Sequence, residues 1–140
     1  MALNVIGNMY GDYHAKIEDG LACSTAAAVT AGQAVYLASN VWASASTTNP
    51  IDGIVIKAAA AGGTPIVEYV MPGAMIEVDL EGALNASLDP GVSRAILVAD
   101  GDNVDATAVT GGHLRVLSVD STNSKIVVVP TKTYLSDTST

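Results

Sequence analysis

Between Ile51 and Asp79 the chain reads IDGIVIKAAAAGGTPIVEYVMPGAMIEVD, and no other stretch limits the fold so strongly. It holds three short runs, Gly53–Lys57, Pro65–Met71 and Ala74–Asp79, rich in Ile and Val. β-Branched side chains fit a pleated, half-buried surface, while Asp52-Gly53, Gly62-Gly63-Thr64-Pro65 and Pro72-Gly73 supply turn chemistry. The two-residue period puts Ile66, Glu68 and Val70 on one face, and Val67, Tyr69 and Met71 on the other. Glu77 and Asp79 likewise oppose Ile76, Val78 and Leu80, an alternation with one wet side. The pattern predicts an antiparallel meander that the rest of the chain closes into a barrel or sandwich. Glu68, on an otherwise apolar face, implies a strand covered only in part, or covered by a neighbour.

A chain of 140 residues is long enough to bury a core without staples. With no Phe, one Trp (Trp42) and five Tyr, that core must be built from Ala, Val, Ile and Leu. Such side chains suit thin, closely packed sheets rather than a cavity for a large ligand. Fourteen acids face six bases. Lys16, Lys57, Arg94, Arg115, Lys125 and Lys132 are scattered singly, so no basic stripe offers itself to a nucleic-acid backbone. No apolar run approaches the ~18 residues of a membrane helix, and the first residues lack a secretory pattern. These features predict a soluble protein made in a cytoplasm, with neither nucleic acid nor membrane as partner. Cys23 has no second cysteine to pair with and is expected to pack as a small buried apolar residue.

Three regions are expected along the chain. Met1–Gly20 is interrupted by Gly7, Gly11 and Gly20 and alternates poorly, so it reads as an extended arm that adds little to the core. Its apolar residues Val5, Ile6, Met9, Tyr10 and Tyr13 nevertheless call for burial, which a partner would provide by pairing with the arm as an added strand, the alternative being a frayed terminus. Leu21–Thr133 is the β domain, and 134–140 is a loose Ser/Thr tail. Within the domain, Thr25–Ala28 passes for a helical turn but is too short to stand as a helix. Ala34–Leu37 and Val41–Ala45 form a hairpin through Ser39-Asn40. Later strands are expected at Arg94–Val98, Leu114–Val119 and Lys125–Val129, with a tight hairpin signal at Asp100-Gly101-Asp102-Asn103. Gly32 to Gly53 and Gly91 to Gly112 span equal lengths of chain, each opening on a strand. This spacing fits a duplicated half-barrel or, the preferred reading, the regular punctuation of any small β protein.

The residues form no catalytic constellation. His14 and His113 are the two histidines, too few for a three-His zinc site, and no H-x-x-x-H occurs. Asp100, Asp102 and Asp105 resemble a calcium loop. Asp105 and Gly111, however, stand where such a loop needs its Gly and closing Glu, so a solvated hairpin tip is expected instead. Gly62-Gly63-Thr64 lacks the Lys of a phosphate loop and leads into a strand. No G-x-S-x-G elbow is present. A small hydrolase is thereby disfavoured for want of a base, and no cofactor or metal is expected.

The order of Gly32–Leu37, Asp52-Gly53-Ile54-Val55, Ala61-Gly62-Gly63 before Ile66–Val70, Pro72-Gly73 and Leu88-Asp89-Pro90-Gly91 resembles the capsid decoration (cement) proteins of tailed bacteriophages. The central stretch is similar to the lambda-type members. The likeness spans roughly residues 30–130 and rests on short Gly and Val motifs. It departs from the family at Gly112-His113-Leu114, where a second Gly-apolar strand start is usual. The resemblance implies a small all-β, β-tulip-like barrel or sandwich with an N-terminal arm, and a non-enzymatic virion protein on the outer capsid surface. Its implied partners are the major capsid protein, whose neighbouring subunits it clamps, and further copies of itself in a homotrimer. The resemblance also sets Val5, Ile6, Met9, Tyr10 and Tyr13, in the position of the family's capsid-binding arms, against the capsid. The competing reading is a fibre-associated or receptor-binding module recognising a cell-surface glycan, which predicts an exposed aromatic cluster.

Overall fold

The computed structural model describes residues 3–11, 13, 15–45, 49–88, 90, 94–95, 103–108, 111–131 and 133. Its elements are all strands: β1 (Asn4–Asn8), β2 (Ile17–Glu18), β3 (Ala34–Ala38), β4 (Val41–Ser44), β5 (Gly53–Lys57), β6 (Ile66–Tyr69), β7 (Ala74–Glu81), β8 (Arg94–Ala95), β9 (Val104–Asp105), β10 (Leu114–Asp120) and β11 (Lys125–Pro130). Among the described residues no helix is long and apolar enough to cross a membrane. One sheet runs β1-β7-β11-β10-β8, with β9 parallel to β7; the other runs β2-β6-β5-β3-β4. They pack as an open sandwich, so the expected all-β fold holds and no closed barrel forms.

Alternation decides the packing. In β7, Ala74, Ile76 and Val78 are buried while Met75, Glu77 and Asp79 are not, and β11 buries Ile126, Val128 and Pro130 in the same rhythm. All of these buried residues but Pro130 meet Ala34 and Ile54 from the other sheet, and Val70 just beyond it, in one core with Val104, Leu114 and Val116. Each fully buried Val or Ile contributes about 1.5–3 kcal/mol of transfer free energy, so a core without Phe suffices.

The β2–β6 sheet is apolar on both faces. Its second face carries Val35, Trp42, Val55 and Val67, closed over by Cys23, Val29, Leu21 and Ala59. The covering segments are held by backbone bonds, Cys23 N–H to Gly63 O at 2.7 Å and Ser24 N–H to Trp42 O at 2.8 Å. Thr25–Ala28 therefore belongs to an irregular covering layer, not a helical turn. Cys23 is buried in that layer, its Sγ 3.1 Å from the Ala60 carbonyl. Gly53 lies within β5, not in a turn. A Cβ there would collide with the Val67 side chain and sit 3.4 Å from the Trp42 ring.

Two sequence expectations are corrected. β5 and β6 pair, but β7 leaves that sheet: Val70 and Ala74 both enter the intersheet core while Pro72-Gly73 carries the chain across. The three central runs are therefore not a meander. Residues 1–20 are also more than an arm, since β1 pairs with β7 along Asn4–Asn8 and β2 with β6. Leu3 is buried and Val5 packs against the core. Gly7 interrupts nothing, because it leaves room for Met75, whose Cε would lie 2.9 Å from any Cβ there.

The equal glycine spacings themselves have no structural counterpart, because the strand pairings repeat in a register that matches Gly53 with Leu114 and not with Gly112. The β5–β6 pairs Gly53↔Tyr69, Ile54↔Glu68, Val55↔Val67 and Lys57↔Ile66 recur at a constant offset in β10–β11 as Leu114↔Pro130, Arg115↔Val129, Val116↔Val128 and Ser118↔Val127. The extra residue of the bulge recurs too, Ile56 in one and Leu117 in the other. β3 meets β5 through Ala34↔Ile54 and Val35↔Gly53, as β8 meets β10 through Arg94↔Arg115 and Ala95↔Leu114. Sheet orders β2-β6-β5-β3 and β7-β11-β10-β8 thus repeat with all neighbours antiparallel. The likeness is one of strand pairing and not of packing, because Val55 and Val67 lie in the cluster on the second face of their sheet whereas Val116 and Val128 lie in the intersheet core.

Candidate functional site

The outer face of the β7–β11–β10 sheet is where the chain exposes apolar side chains together. Asn8, at the end of β1, builds its rim. Its Nδ2 donates to Pro72 O at 2.9 Å, its Oδ1 accepts the Tyr10 N–H at 2.8 Å, and Met9 N–H donates to Gly73 O at 2.8 Å. The β1 end is thereby pinned to the sheet-crossing connection, and the Tyr10 ring lies over Gly73, where a Cβ would come within 2.6 Å of the ring. Gly73 also has φ of +82°, which a side chain would strain. The result is a held platform: Tyr10 is 80% exposed and Met9 53% exposed. Beside them Pro72, Leu117, Val129 and Thr131 line a cleft of about 350 Å³ with Arg115 at its wall.

The five residues expected to touch a partner separate. Met9 and Tyr10 share this platform. Ile6, the extra residue of the β1 bulge between Val5 and Gly7, is 48% exposed, and Tyr13 is 37% exposed. Val5 turns inward, opposite Ile76. The alternation of β1 carried that distinction, but it was hidden because Gly7 was read as a break. Leu117, Val129 and Pro72 were missed because each reads as strand or turn in isolation, and only the sheet brings them under Tyr10.

Elsewhere, Asp105 and Glu18 are held by local hydrogen bonds. The Asp105 carboxylate accepts from the Thr107 hydroxyl at 2.7 Å and its N–H at 2.9 Å, which hold its pKa below the usual carboxylate range. Asp105 sits in β9 opposite Glu81. Asp100, Asp102 and His14 lie outside the described residues, among which no group of three metal-ligating side chains occurs. The His113 carbonyl accepts from the Thr131 N–H at 2.7 Å. Glu18 is a tether: its carboxylate receives the Trp42 Nε1–H at 3.1 Å and the backbone N–H groups of Gly20 and Leu21. Burial pushes its pKa up, but these bonds outweigh it and leave the group below the ordinary value.

Neither a protein-family model nor a curated protein matches this chain.

Proposed function

We propose that this chain is a structural virion protein of the decoration type. In this reading it binds the outer surface of a tailed-phage capsid and stabilises it by clamping neighbouring major capsid subunits, acting without enzymatic chemistry, cofactor or metal. The observation that carries the reading is the Met9–Tyr10 platform, two exposed apolar side chains on a backbone tied to Asn8 and Gly73. A backbone already held lowers the entropic cost of docking, which otherwise runs to about 1–2 kcal/mol per residue ordered. Homotrimers on the shell, the family's arrangement, would multiply such contacts until release is negligible. The acidic balance, net charge −8, suits a soluble pool that assembles only on its lattice. The competing glycan-binding reading calls for an exposed aromatic cluster, and among the described residues this cleft has Tyr10 as its one aromatic, beside Arg115 and Thr131.

The test is a reconstruction of expanded capsids mixed with purified protein. Density on the outer surface at three-fold or local three-fold positions is expected. Isolated single copies, copies on a two-fold axis, or bare capsids would refute the proposal.

A further inference from the structure

β2 is an edge strand of two residues, and its faces are held differently. Glu18 ties one face to Trp42, Gly20 and Leu21. On the other face Ile17, 51% exposed, stands opposite Glu68 of β6. The Lys16 end of the strand is joined to β6 where the Tyr69 N–H donates to Lys16 O at 2.8 Å. Glu68 lies at this edge. Its Oε2 is buried and, among the described residues, is the one buried side-chain oxygen or nitrogen without a hydrogen bond. The side chains around it are apolar: Ile17 from β2, Ile54 from β5, and Leu3 and Val5 at β1 across the adjoining cleft of about 310 Å³. Among the described residues no other titratable group lines that cleft. Glu18 is turned to Trp42, while Lys16 and Lys57 are exposed.

A carboxylate oxygen shut away from donors favours the neutral acid, because ionising it in place forfeits hydration. Burial accordingly raises the Glu68 pKa from 4.5. The oxygen escapes that cost only by meeting water, so some neighbouring element must give way. β1 resists, because it pairs with β7 over five residues and the adjacent Leu3 is buried. β2 resists least, being short, at a sheet edge and half-exposed at Ile17. Short edge elements of this kind open locally without unfolding the rest.

We propose that Glu68 is a pH-sensitive latch: protonated, it lets the Lys16–Ile17 end of β2 close on β6, and ionised, it drives that end open while Glu18 keeps the rest of β2 in place. The closed state holds the proton more tightly than the open one. Closure is therefore complete below 4.5 and is lost as pH rises through the folded value. Glu18 titrates with the opposite sign and below 4.5, so the two do not overlap. Lys16 is also where the segment that follows the Met9–Tyr10 platform enters β2, so the latch sets how firmly the far end of that segment is held. The inference does not depend on the capsid reading, because it concerns the free chain.

The test is amide hydrogen exchange on the isotopically labelled full chain between pH 4.5 and neutral pH, corrected for the intrinsic exchange rate. Protection of the Tyr69 N–H should fall by about fivefold or more over that range. The Leu3 N–H, bonded to Gly32 O, and the Ala45 N–H, bonded to Ala34 O, should keep theirs. The Glu68 carboxyl carbon shift should titrate with the same midpoint as the Tyr69 protection. Glu68→Gln keeps the shape and removes the titration, so its Tyr69 protection should stay at the acid level throughout, with Leu3 and Ala45 reporting that it is folded. Tyr69 protection that ignores pH, an equal fall at Leu3 and Ala45, a separate midpoint for the Glu68 carboxyl, or a fall that persists in folded Glu68→Gln would each overturn the proposal.

Discussion

Glu18 carries the most informative single perturbation. It sits in the two-residue β2, opposite Val67, and accepts from Trp42, whose ring is fully buried and lies 5.8 Å from that of Tyr69. Glu18→Ala leaves the Trp42 Nε1–H buried without a partner, which costs about 1–3 kcal/mol, and frees the Gly20 and Leu21 N–H groups, which water takes over at smaller cost. A total near 2–3 kcal/mol is expected. For a chain of this size, with a urea m-value of about 1–3 kcal/mol/M, the midpoint should fall by about 1–2 M. Glu18→Gln keeps an acceptor for the indole and should lose less than half as much. Trp42 is the only tryptophan, so its fluorescence reports both unfolding and the loss of the hydrogen bond. The pKa of Glu18 is depressed from 4.5, so its stabilisation is complete above that value and is lost as pH falls through the folded pKa. The gap between Glu18 and Glu18→Gln should narrow in that acidic window. Equal stability of Glu18→Ala and the natural chain, or a gap that ignores pH, would refute the tether.

Three further outcomes follow from neighbouring sites. Gly53→Ala drives a methyl into Val67 and against the Glu68 carbonyl at 3.1 Å, and should cost about 1–3 kcal/mol in denaturant titration through overpacking. Burial raises the Glu68 pKa above 4.5, which gives the sign opposite to Glu18: its stabilisation is present below 4.5 and lost as pH rises through the folded value. Glu68→Gln should therefore melt above the natural chain at neutral pH, and the difference should vanish in acid; a lower melt at pH 7 would contradict this. Removing residues 1–20 takes away β1, the buried Leu3 and the Glu18–Trp42 bond together, so thermal denaturation should begin well below that of the full chain, or the truncated chain should not fold at all.

Strand identity was legible wherever Val and Ile alternate between Gly and Pro. β7, β10 and β11 fall at their expected places, and the Ser39-Asn40 hairpin has the positive φ at both residues that its turn requires. Connectivity was less legible. Pro72-Gly73 turns the chain equally well into a paired strand or across to another sheet, and the choice belongs to the core that Val70 and Ala74 share. The first strands escaped notice because Gly7 reads as a breaker, although its lack of a side chain serves Met75. Val5 was grouped with Ile6, Met9 and Tyr10 for the same reason, since without β1 there was no face to separate them. The glycine spacing was no guide to the register the two pairs of strands share, since Gly53 corresponds to Leu114 and not to Gly112. That shared register is visible only in pairings such as Ile54↔Glu68 and Arg115↔Val129, where the residues differ.

The Met9–Tyr10 platform is tested most directly by co-sedimentation of expanded phage capsids with the natural chain and with a Met9→Ser, Tyr10→Ser variant, beside a thermal melt of each. Both side chains are exposed, so stability should change by no more than about 0.5 kcal/mol. Binding should weaken at least about tenfold, as expected when large apolar anchors leave an interface. Undiminished binding by the folded variant would contradict the account.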